Sequence, residues 1–256
     1  MKYIAFVFIC LISLIKPIDA NAWGREGHKI IGKIAYSRIS DSVKDSIGKY
    51  LGKMSFEYAS IWMDSIRTDH SYDYMRPWHY VNFPKDSKYD TTKTDNIVWA
   101  LNKVITELEH KEKYSKDQIA FDLKVAIFLV GSIHQPLHVG YDFDKGGNTV
   151  NVLFTKYYSN LHHVWSEDII DVSIKYAPAR WQHTSSMSKA EIDQIEKTDV
   201  NGWLYESRSM LNDVYDFKDN TISEAYIKKN VPVIETQLLH AGLRLSHLLE
   251  HIFAAN

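Results

Sequence analysis

Apolar residues recur along this chain at helical rather than strand-like intervals. Ile97, Ala100, Leu101, Val104, Ile105 and Leu108 form one stripe, with steps of three and one, and predict an amphipathic helix. Ile234, Leu238, Ala241, Leu245, Leu248 and Ile252 alternate steps of four and three and predict another near the end of the chain. Pro232 suits the first turn of that helix, where its missing N–H costs nothing. Similar patterning predicts helices over His28–Ile39, Ser42–Leu51, Ile119–Val130, Val164–Ile174, Lys189–Lys197 and Trp203–Tyr215. Two segments lack the pattern. Thr68–Thr94 is a polar, aromatic loop, and Val139–Asn160 is a second loop with a short hairpin through "NTVNVLF". Loops of that length in a compact domain usually carry function. The fold class is all-α, a single multi-helix domain with long active-site loops and at most a short hairpin.

Composition agrees. Eleven Gly and six Pro among 256 residues are few for a sandwich of short strands, and no repeat or linker divides the chain. The first 22 residues read differently. Lys2, the apolar run Tyr3–Ile15, Lys16-Pro17 and the Ala20-Asn21-Ala22 cleavage pattern make a secretory signal peptide, leaving a single domain over 23–256. Cys10, the only cysteine, leaves with it, so no disulfide can staple the exported chain. The loss of Lys2, Lys16 and Asp19 takes the formal charge from -2 to -3. No global attraction for nucleic acid follows, and phosphate recognition must be local. The expected product is a periplasmic or secreted monomer without stable membrane association.

Candidate chemistry is scattered but ordered. A new terminus at "WGREGHKII" offers Trp23's amine and carbonyl, with His28 five residues on, as a chelating set. "WMDSIRTDH" spaces Asp64 and Arg67 three apart on one helix face. "RPWHYVN" sets His79 between Trp78 and Tyr80, a setting that suits a packed histidine as well as a ligand. "FLVGSIHQPLH" holds His134 and His138 four apart across Pro136, which ends the helix and turns His138 into the loop. "NLHHVWSEDII" adds His162 and His163, the latter four residues from Glu167.

Taken in order, W-G-x-x-G-H, W-x-D-x-x-R, W-H-Y-V-N, H-Q-P-L-H-V-G, G-G-N and N-L-H-x-V-W closely resemble the zinc-dependent, single-strand-specific nucleases of the S-one/P-one type, whose fold a bacterial phospholipase C shares. The resemblance covers nearly all of residues 23–256. It implies a helical domain with up to three zinc ions in a cleft, hydrolysing phosphodiesters of single-stranded DNA or RNA. It implies metal ligands at Trp23 and His28, at Asp64 and His79, and at His138 and His162. Asp64 would be the proton acceptor and Arg67 the group that stabilises the transition state. Tyr80 and Asn148 would contact substrate. Three positions depart from the pattern: Phe128 stands where the family has His, and Ser132 and Ser166 stand where it has carboxylates. Each ion keeps two residues where a catalytic zinc wants about three protein ligands. Fewer ions are therefore expected here. Glu167, Asp168 or His163 are the candidates to compensate, whereas His134 would face elsewhere on a regular helix. Two functions stay open: a zinc phosphodiesterase, or an impaired relative that binds nucleotides or phosphate esters without turnover.

Overall fold

The computed structural model describes residues 22–176 and 187–254. The signal-peptide reading, apart from Ala22, lies outside them. The first helices are α1 (Gly24–Arg38), α2 (Asp41–Leu51), α3 (Phe56–Ala59) and α4 (Trp62–Ser65). A 3-10 helix over His70–His79 then leads to α5 (Ile97–Glu109) and α6 (Lys116–Ile133). Strands β1 (Asn151–Phe154) and β2 (Tyr157–Asn160) precede α7 (Leu161–His163), a π-helical turn over Val164–Asp168 and α8 (Ile169–Tyr176). The last elements are α9 (Lys189–Glu196), α10 (Val200–Ser209), α11 (Leu211–Val214), β3 (Thr221–Ile222) and α12 (Glu224–Phe253). The chain is mostly helical, as the periodicity predicts.

Helix starts follow local chemistry. Ser40, Ser115 and Ser223 each accept a hydrogen bond from the backbone N–H three residues on, and Asn96 accepts from Val98 and Trp99. Such caps satisfy N–H groups that a helix leaves unpaired. Helix α6 is the centre of the domain. Residues 125–133 are all buried, so the second half of the helix is enclosed on every side rather than striped. It packs against α5, α2, α12 and α4, while α12 lies along α1. The α1–α12 approach depends on Gly242, where a Cβ would come within 2.5 Å of Ile34 Cγ2.

Three details depart from the sequence reading. Helix α12 begins at Glu224, so Pro232 lies inside it rather than in its first turn. The freed carbonyl one turn back belongs to exposed Lys228, and burial of Tyr226, Ile227 and Asn230 holds the upstream turns in place. The hairpin is also joined by β3, which pairs parallel to β1 through Leu153–Thr221 and Phe154–Ile222. A two-residue strand leaves no periodicity to read. The long loop after Thr68 contains a ten-residue 3-10 helix, and its aromatics Tyr74 and Trp78 meet edge to face at 5.6 Å.

Gly242→Ala should force α1 and α12 apart or strain Ile34, lowering stability by roughly 1–3 kcal/mol. Urea denaturation followed by circular dichroism measures this, and an unchanged midpoint would contradict the close approach.

Candidate functional site

The site lies where the two irregular segments meet the central helix. Residues 80–84 run beside 138–140: Val81 N–H donates to the His138 carbonyl at 2.8 Å, and Phe83 N–H donates to that of Gly140 at 3.3 Å. Arg208 of α10 fastens the pair. Its guanidinium donates to the carbonyls of Val139 and Gly140 at 2.8 and 2.6 Å and to those of Phe83 and Pro84 at 2.9 and 2.8 Å. These segments wall a cleft of about 930 Å³, lined among others by Arg67, Arg76, His79, Tyr80, His138, Lys145, Asn148, Tyr158 and His162.

His138 and His162 face each other across this cleft. The Nδ1 of His138 lies 2.5 Å from the His79 carbonyl, and the Nδ1 of His162 lies 2.8 Å from the Gly146 carbonyl. A carbonyl only accepts, so both Nδ1 atoms carry the proton and both Nε2 atoms carry lone pairs in the neutral rings. Those Nε2 atoms stand 3.2 Å apart, converging as two donors to one cation do. The glycines of G-G-N make this possible. Gly146 has φ +63°, and a Cβ there would collide with the Leu137 carbonyl oxygen. Asn148 stands beside His162, its amide nitrogen 3.3 Å from Nδ1.

The neighbouring half of the site is built otherwise. Phe128 is fully buried on α6, and its ring packs against both His28 and His79. It stacks on His28 at 4.1 Å with the planes 12° apart and meets His79 edge to face at 5.3 Å. Gly131 admits the His28 imidazole, since a Cβ there would meet its Nδ1 at 2.8 Å. Both ring nitrogens of His28, Nδ1 of His79 and Oδ1 of Asp64 are buried without a hydrogen-bond partner. Burial, with His79 nearby, pulls the pKa of His28 down to about 3. Burial, with Arg67 and Arg76 nearby, does the same to His79. Burial pushes Asp64 up to about 6, although Arg67, whose Nη1 lies 3.7 Å from its carboxylate, pulls the other way. Trp23 is fully buried at the head of α1, its carbonyl accepting from Gly27 N–H at 3.1 Å.

The sequence model of S1/P1 Nuclease matches residues 23–254. The chain belongs to the S1/P1 nuclease family. Among its relatives, Endonuclease 2 of Arabidopsis thaliana is 24% identical over 290 residues, covering 98% of this chain and 97% of that one. Endonuclease 5 of the same plant is 28% identical, covering 92% of each chain. Nuclease S1 of Aspergillus oryzae is 24% identical, covering 90% of this chain and 91% of that one.

The three positions that the sequence reading marks as departures, 128, 132 and 166, are occupied by packing and hydrogen bonds. Phe128 packs against two histidines. Ser132 Oγ donates to the Phe128 carbonyl at 3.2 Å, and Ser166 Oγ accepts from the Gln135 amide at 3.0 Å. Among the described residues no three His, Cys, Asp or Glu side chains gather to hold a metal ion. The residues present therefore do not fit a three-ion cluster. His138 and His162 keep a convergent pair.

Two of the candidates for compensation are engaged with each other. His163 lies 3.7 Å from Asp168, and Asp168 also accepts from the Tyr157 hydroxyl at 2.7 Å, so both are held on the hairpin side. His162, not His163, lines the cleft. Glu167 lies in the π-helical turn, near enough to Asp64 to help raise its pKa. Its carboxyl packs against Gly24 at the head of α1, so closely that a Cβ on that glycine would collide with it. His134 faces away from the cleft, as a regular helix requires. Its Nδ1 donates to Val130 O at 2.6 Å, and its Nε2 accepts from Arg244 at 2.7 Å. The sequence reading passed over Arg208, Gln135 and Tyr158; only Gln135, inside H-Q-P-L-H, stood within a recognisable signal.

Four buried histidines set the pH response. Burial holds His28, His79 and His134 near a pKa of about 3, and it holds His138 well below the ordinary value of 6.5. Unfolding frees them to take up protons below pH 6.5, so their contribution to stability is present above that pH and lost as it falls. Asp64, raised to about 6, Asp122, raised by burial to about 7, and Asp168, also raised by burial, act in the opposite sense. Four outweigh three, so stability should decrease from pH 6.5 to 4.5 by about 1.4 kcal/mol per pH unit for each net proton. Urea titrations across that range measure the slope; a flat profile would contradict neutral buried histidines.

Proposed function

We propose that this chain is an exported member of the S1/P1 family that binds single-stranded DNA or RNA, or their nucleotides, in the cleft, with hydrolysis impaired. The observation that carries the reading is Phe128 packed against both His28 and His79. A two-ion site generates its nucleophile by holding two cations a few ångströms apart around an activated water. Here an apolar ring takes that space, and Ser132 offers no carboxylate to bridge two dications. Zinc, if held, is limited in this reading to one ion at His138 and His162.

The binding half of the machinery is favoured by what the cleft retains. Arg67, Arg76 and Lys145 line the cleft beside the histidines, interspersed with Asp69, Asp73 and Asp142, so any phosphate contact is local to these cations. Tyr80 and Tyr158 are exposed aromatic faces on the same cleft, suited to stacking splayed bases that a duplex keeps internal. Asn148 can bond a base edge or a phosphate. Asp64 and Arg67 remain paired, so the zinc phosphodiesterase reading is the one to test against.

Protein beginning at Trp23 should bind a single-stranded oligonucleotide in preference to the same sequence as duplex, measured by fluorescence anisotropy. With zinc added it should carry at most one zinc ion per chain by elemental mass spectrometry. It should cleave the strand no faster than its Asp64→Asn variant. About three zinc ions per chain, with cleavage abolished by Asp64→Asn, would establish the active enzyme instead. Arg67→Ala should weaken oligonucleotide binding roughly tenfold and flatten its salt dependence.

A further inference from the structure

We propose that the open face of Phe143 is a stacking platform for a nucleobase of a strand leaving the cleft. This rests on the single-strand reading above and extends it to a second binding position. Phe143 is 73% exposed, yet its ring is not loose. It lies 5.5 Å from the ring of Tyr141 with the planes 17° apart. Tyr141 is buried and lies 5.1 Å from the Arg208 guanidinium, which in turn stands 3.6 Å from the centre of the Phe83 ring. Phe83, Arg208, Tyr141 and Phe143 thus form a column of flat groups. Its inner end is buried and its outer end is open. The chemistry that continues such a column is another flat π system.

The column is rigid where it matters. Arg208 is fixed by its four carbonyl partners. The turn beyond Phe143 is fixed by Asp144, which accepts from Gly147 N–H at 3.0 Å and from the Tyr215 hydroxyl at 2.6 Å. Gly146 N–H donates to the Tyr141 carbonyl at 2.9 Å. A base landing on Phe143 therefore orders little that is not already ordered, which favours affinity.

Position and charge select the occupant. Asp142 and Lys145, on either side of Phe143 in sequence, both line the cleft. Lys145 suits a backbone phosphate. The Asp142 carboxylate disfavours one, so the group over Phe143 is a base rather than a phosphate. Phe143 has no hydroxyl or N–H to read a base edge, which makes the platform tolerant of sequence. A mononucleotide held near His162 and Asn148 has a single base to place, whereas a strand of several residues has further bases for a second position.

The test is a length series. The wild-type protein and its Phe143→Ala and Phe143→Trp variants are titrated by anisotropy with a thymidine mononucleotide and with labelled oligothymidylates of increasing length. Phe143 is exposed, so both variants should keep the wild-type melting temperature. The expected result is a roughly tenfold loss of affinity in Phe143→Ala for the longer strands only, with mononucleotide affinity unchanged. Phe143→Trp should restore binding, and its indole fluorescence should be quenched by the long strands. If wild type binds the strands and Phe143→Ala superimposes on it at every length, the platform is overturned while the single-strand reading stands. If wild type binds no strand at any length, that reading fails and the platform with it.

Discussion

The structure depends on one packing arrangement, the Phe128 ring held against the imidazoles of His28 and His79. It joins α1, α6 and the 3-10 segment at the point where their side chains converge. Imidazoles at that depth lose most of their hydration, so they stay neutral, and an aromatic ring suits neutral neighbours better than charged ones. An aromatic contact of this kind adds to the burial of a large apolar side chain. Phe128 thereby serves the core around the enclosed half of α6. The same ring stacks on His28, whose two ring nitrogens are buried without a hydrogen-bond partner.

A second arrangement, centred on Arg208, shapes the cleft independently. Four backbone carbonyls from two irregular segments have no strand to pair with, and one planar guanidinium satisfies all of them. A fork of N–H donors is the one side chain able to do this with fixed geometry. His138 is carried on one of those segments and Tyr80 on the other. The cleft can therefore keep its walls independently of how the Phe128 side of the site is packed.

The helices were legible because their signals are local. Periodicity and serine or asparagine caps specify α5, α6 and most of α12 without reference to the rest of the chain. Pro232 was misleading because its penalty is small on an exposed face, and the buried residues upstream carry the helix through it. Strand β3 has two residues and exists only because β1 is beside it. At the site, the ordered motifs pointed to His138, His162, Asp64, Arg67 and His79, and the substitutions at 128, 132 and 166 could be read directly. The placement of Glu167 against Gly24 could not. It lies in a π-helical turn, which hydrophobic spacing does not reveal. Arg208 was illegible for a related reason: its partners are backbone atoms far away in sequence, and backbone atoms leave no mark in a pattern of side chains.

The mutual fit of Phe128, Ser132 and Ser166 with their neighbours also makes these three positions interdependent. Aspartate at 132 alone would bury a carboxylate among apolar neighbours. Histidine at 128 alone would set a third imidazole against His28 and His79. Ser166 accepts from Gln135, and Ser132 donates to the Phe128 carbonyl. The arrangement is neutral throughout, so a single charged substitution at any of the three disturbs the whole set.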